Sequence, residues 1–279
     1  YEIMPSLVGS EMCIRDSSAA ATADGSRREA LTDAGDMVVS CGLMMLKLAQ
    51  LHGEPEIFHS IQGEGASQGT PCVFLRLAGC NLACSWCDTA YSWNGTSPAV
   101  KLSPEEAAAA VLHYPCRRLV ITGGEPLVQQ KALPGLLRLL PEHFVEMETN
   151  GAILPDEELL HHIGQFNVSP KLPHSGNDAA RAWKPDILRR LAETKKAWFK
   201  FVASCEEDVA GVLRLAQQAG IPTERILIMP LAASREELDR YLNGRIKAHD
   251  HYFTEISPAI PKAVSYTHLR AHETRHDLV

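Results

Sequence analysis

Residues 73–89 read VFLRLAGCNLACSWCDT, and this stretch decides how the chain folds and what it does. The apolar run at 73–77 predicts a buried strand, and Cys80, Cys84 and Cys87 follow it directly with C-x3-C-x2-C spacing. Three thiolates at that spacing can hold three irons of a cubane cluster, whereas a closed ferredoxin-type cluster needs four cysteines. The stretch therefore predicts an iron–sulfur site with one open iron at the carboxyl end of a strand.

Further apolar, β-branched runs predict six more strands. With the first, they are 73–77, 119–122, 144–149, 166–169, 198–202, 226–229 and 253–256. Helical patterns separate them, beginning at Ser103-Pro104, at Asp156 and at Glu206, with others at 129–140, 185–192 and 234–246. Strands that alternate with helices predict right-handed crossovers and a parallel sheet in an α/β fold. The pattern fits an open doubly wound sheet or a complete or partial barrel.

Polar clusters follow the next three strands as well. They are Thr122-Gly123-Gly124-Glu125-Pro126, Glu148-Thr149-Asn150-Gly151 and Ser169-Pro170-Lys171. In parallel α/β sheets and barrels the carboxyl ends of the strands are where ligands bind. The four clusters together predict one binding edge.

Composition excludes several other classes of protein. The chain has 279 residues, a net charge of −7, 45% apolar residues and 22% charged residues, which is typical of a globular protein rather than a disulfide scaffold, a collagen or a disordered chain. No uncharged apolar run reaches the length of a membrane span, and no basic block indicates a nucleic-acid or membrane surface. Three of the eight cysteines lie within eight residues, so we expect metal binding in a reducing, cytoplasmic compartment rather than disulfides.

The two ends differ from the middle of the chain. Residues 1–43 lack helical or strand periodicity, and we expect them to be disordered. Both they and residues 264–279 resemble translated sequencing-adapter read-through, so we expect non-native extensions around a core at 44–263. A targeting peptide or regulatory arm is the alternative for residues 1–43.

The core resembles the radical S-adenosylmethionine (SAM) superfamily over nearly its whole length. The resemblance rests on the cysteine motif followed, after one helix, by the Gly123-Gly124-Glu125-Pro126 turn. It implies a partial (β/α)6 TIM-like barrel, a 4Fe–4S cluster on Cys80, Cys84 and Cys87, and SAM on the open iron. It also implies that an electron from the cluster cleaves SAM to a 5′-deoxyadenosyl radical. Gly123 and Gly124 would let the backbone approach the methionyl group, and Trp86 would pack near the cluster and adenine.

Within the superfamily, the closest resemblance is to 7-carboxy-7-deazaguanine synthases. It rests on EIFHSIQGEG at residues 56–65, GTPCVFLRLAGCNL at 69–82 and WCDT at 86–89. It implies a lyase of queuosine and deazapurine biosynthesis that converts 6-carboxy-5,6,7,8-tetrahydropterin to 7-carboxy-7-deazaguanine and ammonia, with SAM and Mg²⁺ as cofactors. It implies a homodimer, an electron donor such as flavodoxin, and no nucleic-acid or membrane partner.

The same resemblance assigns site residues by position. It places no catalytic side chain, since the radical forms on SAM. It assigns Ile61, Gln62, Gly63, Arg76 and Thr122 to substrate, Thr89 to Mg²⁺, and Trp86, Gly123, Gly124, Glu148, Ser169 and Lys171 to SAM. The chain departs from the family after residue 258, where further pocket-closing residues are expected.

Alternatives remain for several of these residues. Cys72 or His59 could complete a structural zinc site, and Cys116 and Cys205 are expected to be small buried hydrophobes. Arg76, inside an apolar strand, needs an anion, which is a substrate carboxylate or an internal partner, Glu56 or Glu125. For the whole chain, the alternatives are a radical SAM activase of a glycyl-radical enzyme and a non-enzymatic iron–sulfur or zinc module.

Overall fold

The computed structural model describes residues 44–231. The expectations for residues 1–43 and 264–279, for the helix at 234–246 and for the strand at 253–256 lie outside this range. All structural statements below concern the described part of the chain.

Eleven strands build two sheets. The strands are β1 (Leu46–Leu48), β2 (Gln50–Leu51), β3 (Glu54–Pro55), β4 (Ile57–Ile61), β5 (Pro71–Leu77), β6 (Val100–Leu102), β7 (Arg118–Gly123), β8 (Phe144–Thr149), β9 (Gln165–Val168), β10 (Ala197–Ala203) and β11 (Ile226–Pro230). The main sheet has the order β11-β10-β9-β8-β7-β5-β1-β6, with β4 also paired to β5, while β2 and β3 form a separate hairpin.

Six neighbouring strands, β5 and β7 to β11, run parallel to one another. This confirms the predicted α/β class and mostly parallel sheet. The strands β1, β4 and β6 were not predicted, and they pair antiparallel at the β5 side of the sheet. Within residues 44–231 the sheet stays open, because β11 pairs with none of β1, β4 and β6.

Six α-helices connect or cover the strands. They are α1 (Pro104–Leu112), α2 (Leu133–Arg138), α3 (Glu157–His162), α4 (Ala179–Ala182), α5 (Pro185–Glu193) and α6 (Glu206–Ala219). The start of α1 is a capping box, in which the Ser103 hydroxyl accepts from Glu106 N at 3.1 Å and the Glu106 carboxylate accepts from Ser103 N at 2.7 Å. Gly220 ends α6 with φ of 67°, the left-handed conformation that glycine adopts without strain. In the described part of the chain, none of these helices has both the length and the apolarity that crossing a bilayer requires.

The two faces of the sheet have different chemistry. One face packs its buried apolar side chains, such as Leu75, Ile121, Met147 and Phe199, against the helices in the main hydrophobic core. Since side chains alternate along a strand, their neighbours lie on the opposite face, and many of those are polar. We call this second face the polar face. Its buried or half-buried members include Arg76, Arg118, Thr122, Glu146, Glu148, Gln165, Asn167 and Lys200.

Candidate active site

The predicted polar clusters do meet at the carboxyl edge of the parallel strands. The loop after β5, residues 78–89, is the cysteine loop, and the turn after β7 packs directly on it. Glu125 N donates to Gly79 O at 2.8 Å, and Gly124 N donates to Leu77 O at 3.1 Å. Asn150, after β8, donates through Nδ2 to Asn81 Oδ1 at 2.7 Å. Three separate βα loops thus form one hydrogen-bonded surface.

Cys80, Cys84 and Cys87 are free, half-buried thiols on this loop. Each sulfur accepts an N–H donor, from Leu82 N at 3.4 Å, Asn177 Nδ2 at 3.1 Å and Trp93 Nε1 at 3.2 Å respectively. N–H donors of this kind surround thiolate ligands in iron–sulfur proteins. Burial raises the pKa of the Cys80 thiol to about 11, so metal binding has to displace its proton. The donor set fits an iron–sulfur cluster.

The described residues contain no group of three or more His, Cys, Asp or Glu arranged to hold a single metal ion. A structural zinc would need four donors converging on one point. A cubane differs because each cysteine binds a different iron.

Gly123 and Gly124 pack so closely against the cysteine loop and the end of β5 that neither position has room for a side chain. A Cβ on Gly124 would lie 2.3 Å from Gly79 O and 3.0 Å from Cys80 Cβ, and one on Gly123 would lie 2.2 Å from Leu77 O. Glu125 holds the same turn from below, since its buried carboxylate accepts from Leu127 N, Asn150 N and the Thr149 hydroxyl at 2.7–3.0 Å. The turn therefore fixes the position of the cysteine loop.

Gly124→Ala is expected to disturb cluster assembly as well as any ligand at the turn. The added methyl collides with backbone atoms that have little freedom to move, so we expect a loss of about 1–3 kcal/mol in the free energy of unfolding. Iron and sulfide content per chain should fall with it. Gly211→Ala in α6 is the matched control, because a Cβ there meets nothing within 4 Å and should be neutral or stabilising. Equal behaviour of the two variants would contradict this reading.

Trp86, Ser169 and Lys171 lie together beside the cysteine loop. Lys171 Nζ donates to the Ser169 hydroxyl at 3.0 Å and lies 5.5 Å from the centre of the Trp86 ring. Burial lowers the pKa of Lys171, and the neighbouring Cys84 acts in the opposite direction. The indole Nε1 of Trp86 is buried and has no hydrogen-bond partner among the described residues. An orphaned buried donor beside a cation is what a polar ligand such as SAM would satisfy.

Gln62, Thr122 and Glu148 converge on the polar face. The Glu148 carboxylate accepts from Gln62 Nε2 at 3.1 Å and from the Thr122 hydroxyl at 2.7 Å. The resemblance assigns Glu148 to SAM, yet both of its side-chain partners are residues assigned to substrate. Glu148 therefore contacts two residues that the resemblance assigns to the other ligand.

The segment at residues 62–67 lies across the polar face and contacts several strands. Gln62 reaches β8 through Glu148, Glu64 pairs with Lys200 of β10 at 2.5 Å, and the Ser67 hydroxyl accepts from Arg118 of β7 at 3.3 Å. Ser67 also accepts from Gln165 of β9 at 3.0 Å. The end of the EIFHSIQGEG motif, which carries part of the family resemblance, therefore packs over the polar face.

Lys200 stands between two carboxylates of this group. Burial raises the pKa of Glu148, and Glu64 raises it further, while Lys200 lowers it. Burial acts to lower the pKa of Lys200, but Glu64 and Glu148 outweigh it and the net direction is upward. Lys200 thus offsets part of the cost of burying two carboxylates close together.

Lys200→Met is expected to make stability fall over a wider pH range, which begins near the ordinary pKa of a glutamate and extends upward. A carboxyl group whose folded pKa lies above its unfolded value contributes stability that is complete below the unfolded pKa and is lost as pH rises through the folded pKa. Without Lys200 the folded pKa of Glu148 rises further, so this loss extends to higher pH. Thermal unfolding at several pH values measures it, with exposed Lys101→Met as the control. Parallel pH profiles for Lys200→Met and the parent would show that Lys200 does not control these carboxylates.

Arg76 and Glu56 form a buried ion pair. Arg76 Nε lies 2.9 Å from Glu56 Oε1, and Glu56 Oε2 accepts from the Tyr91 hydroxyl at 2.8 Å. Of the internal partners considered from the sequence, Glu56 is the one observed, whereas Glu125 binds elsewhere. Because only Nε is engaged in the described contacts, the two Nη groups remain as donors for a ligand carboxylate.

Three other residues that the resemblance assigns to substrate or Mg²⁺ do not place their side chains among Gln62, Thr122 and Glu148. Ile61 lies opposite Pro71 with its side chain half exposed on the other face of β4. Gly63 adjoins Gln62 and offers only its backbone. Thr89 is buried at the start of a short 3-10 helix, Ala90–Ser92, with its hydroxyl 3.8 Å from Cys87 Sγ.

Sequence reasoning missed Lys200, Asn177 and Trp93. Lys200 had a signal, since it is the one charge in the apolar strand AWFKFVA. Asn177 had none, because its contact with Cys84 spans 93 residues. Trp93 lies six residues from Cys87, but only the fold turns its indole nitrogen toward the sulfur.

Comparisons with known proteins agree with this geometry. The model of the Radical SAM superfamily matches residues 75–243, and that of the large polyvalent protein associated domain 34 matches residues 231–269. The chain is 43% identical over 187 residues to a 7-carboxy-7-deazaguanine synthase from Pyrobaculum aerophilum, covering 65% of this chain and 80% of the relative. It is 40% identical over 195 residues to one from Hyperthermus butylicus, covering 67% and 80%.

A solved structure supports the fold. The crystal structure of QueE from Escherichia coli superposes with a TM-score of 0.53 at 24% identity, covering 72% of this chain and 91% of that one. The family model spans more than half of the chain, and the two relatives are covered over four fifths of their length. The chain therefore belongs to the 7-carboxy-7-deazaguanine synthase family of the radical SAM superfamily.

Proposed function

We propose that this enzyme converts 6-carboxy-5,6,7,8-tetrahydropterin to 7-carboxy-7-deazaguanine with loss of ammonia. The observation that carries the proposal is the group of Gln62, Thr122, Glu148 and Arg76 on the polar face, beside the loop that holds the three cysteines. A planar heterocycle with one carboxylate matches that set of donors and acceptors.

Cys80, Cys84 and Cys87 would hold the 4Fe–4S cluster of the superfamily. When bound, the cluster and SAM supply the radical chemistry that starts the reaction. Trp86, Gly123, Gly124, Ser169 and Lys171 would hold SAM over the open iron. The orphaned Trp86 nitrogen and the half-buried Lys171 ammonium support this role, because both can donate hydrogen bonds to a polar ligand that carries a carboxylate.

Arg76 would bind the substrate carboxylate through its two Nη groups while Nε stays with Glu56. Gln62 would read one edge of the ring, since a carboxamide offers both a donor and an acceptor. Ile61 and Gly63 would contribute at the rim of this pocket.

Glu148 is assigned to SAM by the resemblance, which names no catalytic side chain. We propose that Glu148 would in addition take one proton from the ring as a carboxylate and return one to it as a carboxylic acid. A carboxyl group whose pKa is raised by burial is suited to holding a proton and giving it up again. Thr122 and Gln62 orient that carboxylate, and the Glu64–Lys200 pair sets its charge.

Thr89 would contribute one oxygen to a Mg²⁺ site. Mg²⁺ retains several waters and takes few protein ligands, so the substrate carboxylate and waters would complete its coordination. Thr89 is the last residue of the cysteine loop and is buried, which supports a role for its hydroxyl in this site.

We further propose a core at residues 44–263, a homodimer, and an electron donor such as flavodoxin. Queuosine biosynthesis would take the product.

Anaerobic reconstitution of the full chain with iron and sulfide, followed by mass spectrometry, tests the reaction. Incubation with SAM, Mg²⁺, dithionite and the carboxytetrahydropterin should yield 7-carboxy-7-deazaguanine and ammonia in equal amounts. SAM cleavage without that product would point to another radical SAM reaction, such as activation of a glycyl-radical enzyme. Absence of any SAM cleavage would favour a binding module.

A further inference from the structure

The three sulfurs of the cysteine loop differ in the source of their N–H donors. Cys80 receives a peptide N–H from within the loop, which any sequence folded this way would supply. Cys84 and Cys87 instead receive side-chain donors, from Asn177 Nδ2 at 3.1 Å and Trp93 Nε1 at 3.2 Å. Two of the three N–H donors to sulfur therefore belong to side chains that can be changed without altering the loop backbone.

The orientation of the Asn177 carboxamide is fixed by its other contacts. Its Oδ1 accepts from Ala83 N at 2.9 Å, a contact that only the oxygen can make. The same NH2 group donates to the hydroxyl of buried Ser175 at 3.1 Å. The amide nitrogen must then face Cys84, so this hydrogen bond does not depend on an arbitrary choice of flip.

Trp93 leaves still less ambiguity. An indole nitrogen is a donor only, and its one described partner is Cys87 Sγ. Trp93 N also donates to Ala90 O at 3.1 Å, which holds the residue against the 3-10 helix that follows the cysteine loop. The ring is therefore anchored at its backbone while its nitrogen reaches back to the loop.

Hydrogen bonds to the sulfurs are one of the main terms that set the reduction potential of an iron–sulfur cluster. Each N–H donor stabilises negative charge on a thiolate, and the reduced cluster carries one more negative charge than the oxidised one. Donors to sulfur therefore favour reduction and raise the potential. The effect acts through the ligands, as outer-shell partners of metal sites generally do.

We propose that Asn177 and Trp93 are positioning residues that hold the Cys84 and Cys87 thiolates by N–H···S hydrogen bonds and thereby raise the reduction potential of the cluster. This inference rests on the assignment of Cys80, Cys84 and Cys87 as cluster ligands in the proposed function. The proposed function gives neither residue a contact with substrate or with iron.

The test is a redox titration of the reconstituted full chain, with the reduced cluster followed by electron paramagnetic resonance. Trp93→Phe keeps the ring and removes only the donor. Asn177→Leu removes the donor without adding charge, and Asn177→Asp keeps an acceptor for Ala83 N. At a fixed applied potential, Trp93→Phe and Asn177→Leu should each lower the ratio of reduced to oxidised cluster by up to about tenfold, because the lost hydrogen bond is stronger to the more negatively charged, reduced cluster. A tenfold change corresponds to a negative shift of about 59 mV for a one-electron couple. Asn177→Asp should lower the ratio further, because it also adds a negative charge.

Arg181→Lys is the matched control, because it changes the contact with the loop and keeps the positive charge. Arg181 comes from the same segment as Asn177 and donates to Asn81 O in the same loop at 2.8 Å, but it contacts no sulfur. Its potential should equal that of the parent. A shift in Arg181→Lys as large as that in Asn177→Leu would mean that loop packing, not the donor to sulfur, sets the potential.

Other outcomes overturn the inference separately from the proposed function. Unchanged potentials in Trp93→Phe and Asn177→Leu, with full iron and sulfide content, would refute it while leaving the enzyme assignment intact. A shift in Asn177→Asp alone would reduce the Asn177 effect to an added charge and refute its role as a donor. A parent chain that assembles no cluster would instead defeat the proposed function.

Discussion

Replacing any one of Cys80, Cys84 and Cys87 by Ala should abolish reductive cleavage of SAM. The cubane needs all three thiolates, because the fourth iron is the one left for SAM. Each alanine removes one ligand and also strands the N–H donor that now points at its sulfur. Formation of 5′-deoxyadenosine under anaerobic conditions with dithionite measures the loss, and we expect no product above background.

Cys116→Ala and Cys205→Ala are the controls for this experiment. Cys116 Sγ lies 3.4 Å from Pro71 O, at the start of β5, whereas the cysteine loop follows the other end of that strand. Cys205 precedes α6. Both variants should keep the parent's SAM cleavage and iron content. An active Cys84→Ala enzyme would remove the basis for the cluster assignment.

The sequence was sufficient to predict the parallel strands, because each of them is a short run of mainly apolar residues. Observed and predicted boundaries of β5 and β7 to β11 agree within two residues, and β8 agrees at both ends. The position of the binding edge was also predictable, since polar residues that come directly after parallel strands meet at one edge of the sheet.

The antiparallel additions were missed for a physical reason. β1 and β6 have only three residues each, too short for an alternating pattern to stand out from noise. β4 reads IFHSI, in which Phe58 and Ser60 both face the polar side, so apolar and polar residues share a face. Hydrophobic periodicity cannot detect a strand whose partners, rather than its own pattern, decide its place.

Contacts between side chains far apart in sequence lay beyond sequence reasoning altogether. Arg76 illustrates this, because an arginine in an apolar strand requires an anion but does not say which one. The structure gives Glu56, twenty residues earlier, and also shows that the pair uses only Nε of the guanidinium. An internal ion pair and a substrate carboxylate are thus compatible partners rather than alternatives.

This pairing changes how the role of Arg76 has to be tested. Arg76→Ala would leave Glu56, which is fully buried, without its cation, and breaking a buried pair costs about 3–5 kcal/mol of stability. A simple alanine variant would therefore mix unfolding with loss of substrate binding. Arg76→Gln combined with Glu56→Gln removes both charges and keeps a neutral hydrogen-bonding pair in the same volume.

The double variant should bind the carboxytetrahydropterin two to four decades more weakly than the parent, which corresponds to about 3–5 kcal/mol for one lost partner of a buried charge pair. Glu56→Gln alone keeps the guanidinium, and its amide oxygen can still accept from Nε, so its substrate affinity should stay close to that of the parent. Arg76→Lys should recover only part of the affinity, because a point charge cannot reproduce the bidentate fork. In all three variants the cluster content and the substrate-independent cleavage of SAM should be unchanged.

Two titrations on each protein separate these effects, one of SAM followed by the cluster's absorption spectrum and one of the pterin followed by product formation. If the doubly substituted enzyme converts the pterin with the parent's substrate requirement, Arg76 serves Glu56 alone. The substrate carboxylate would then need another cation. Lys200 is the candidate on the polar face, where it pairs with Glu64 and lies close to Glu148. The Lys200→Met enzyme would in that case lose the affinity that the double variant retained.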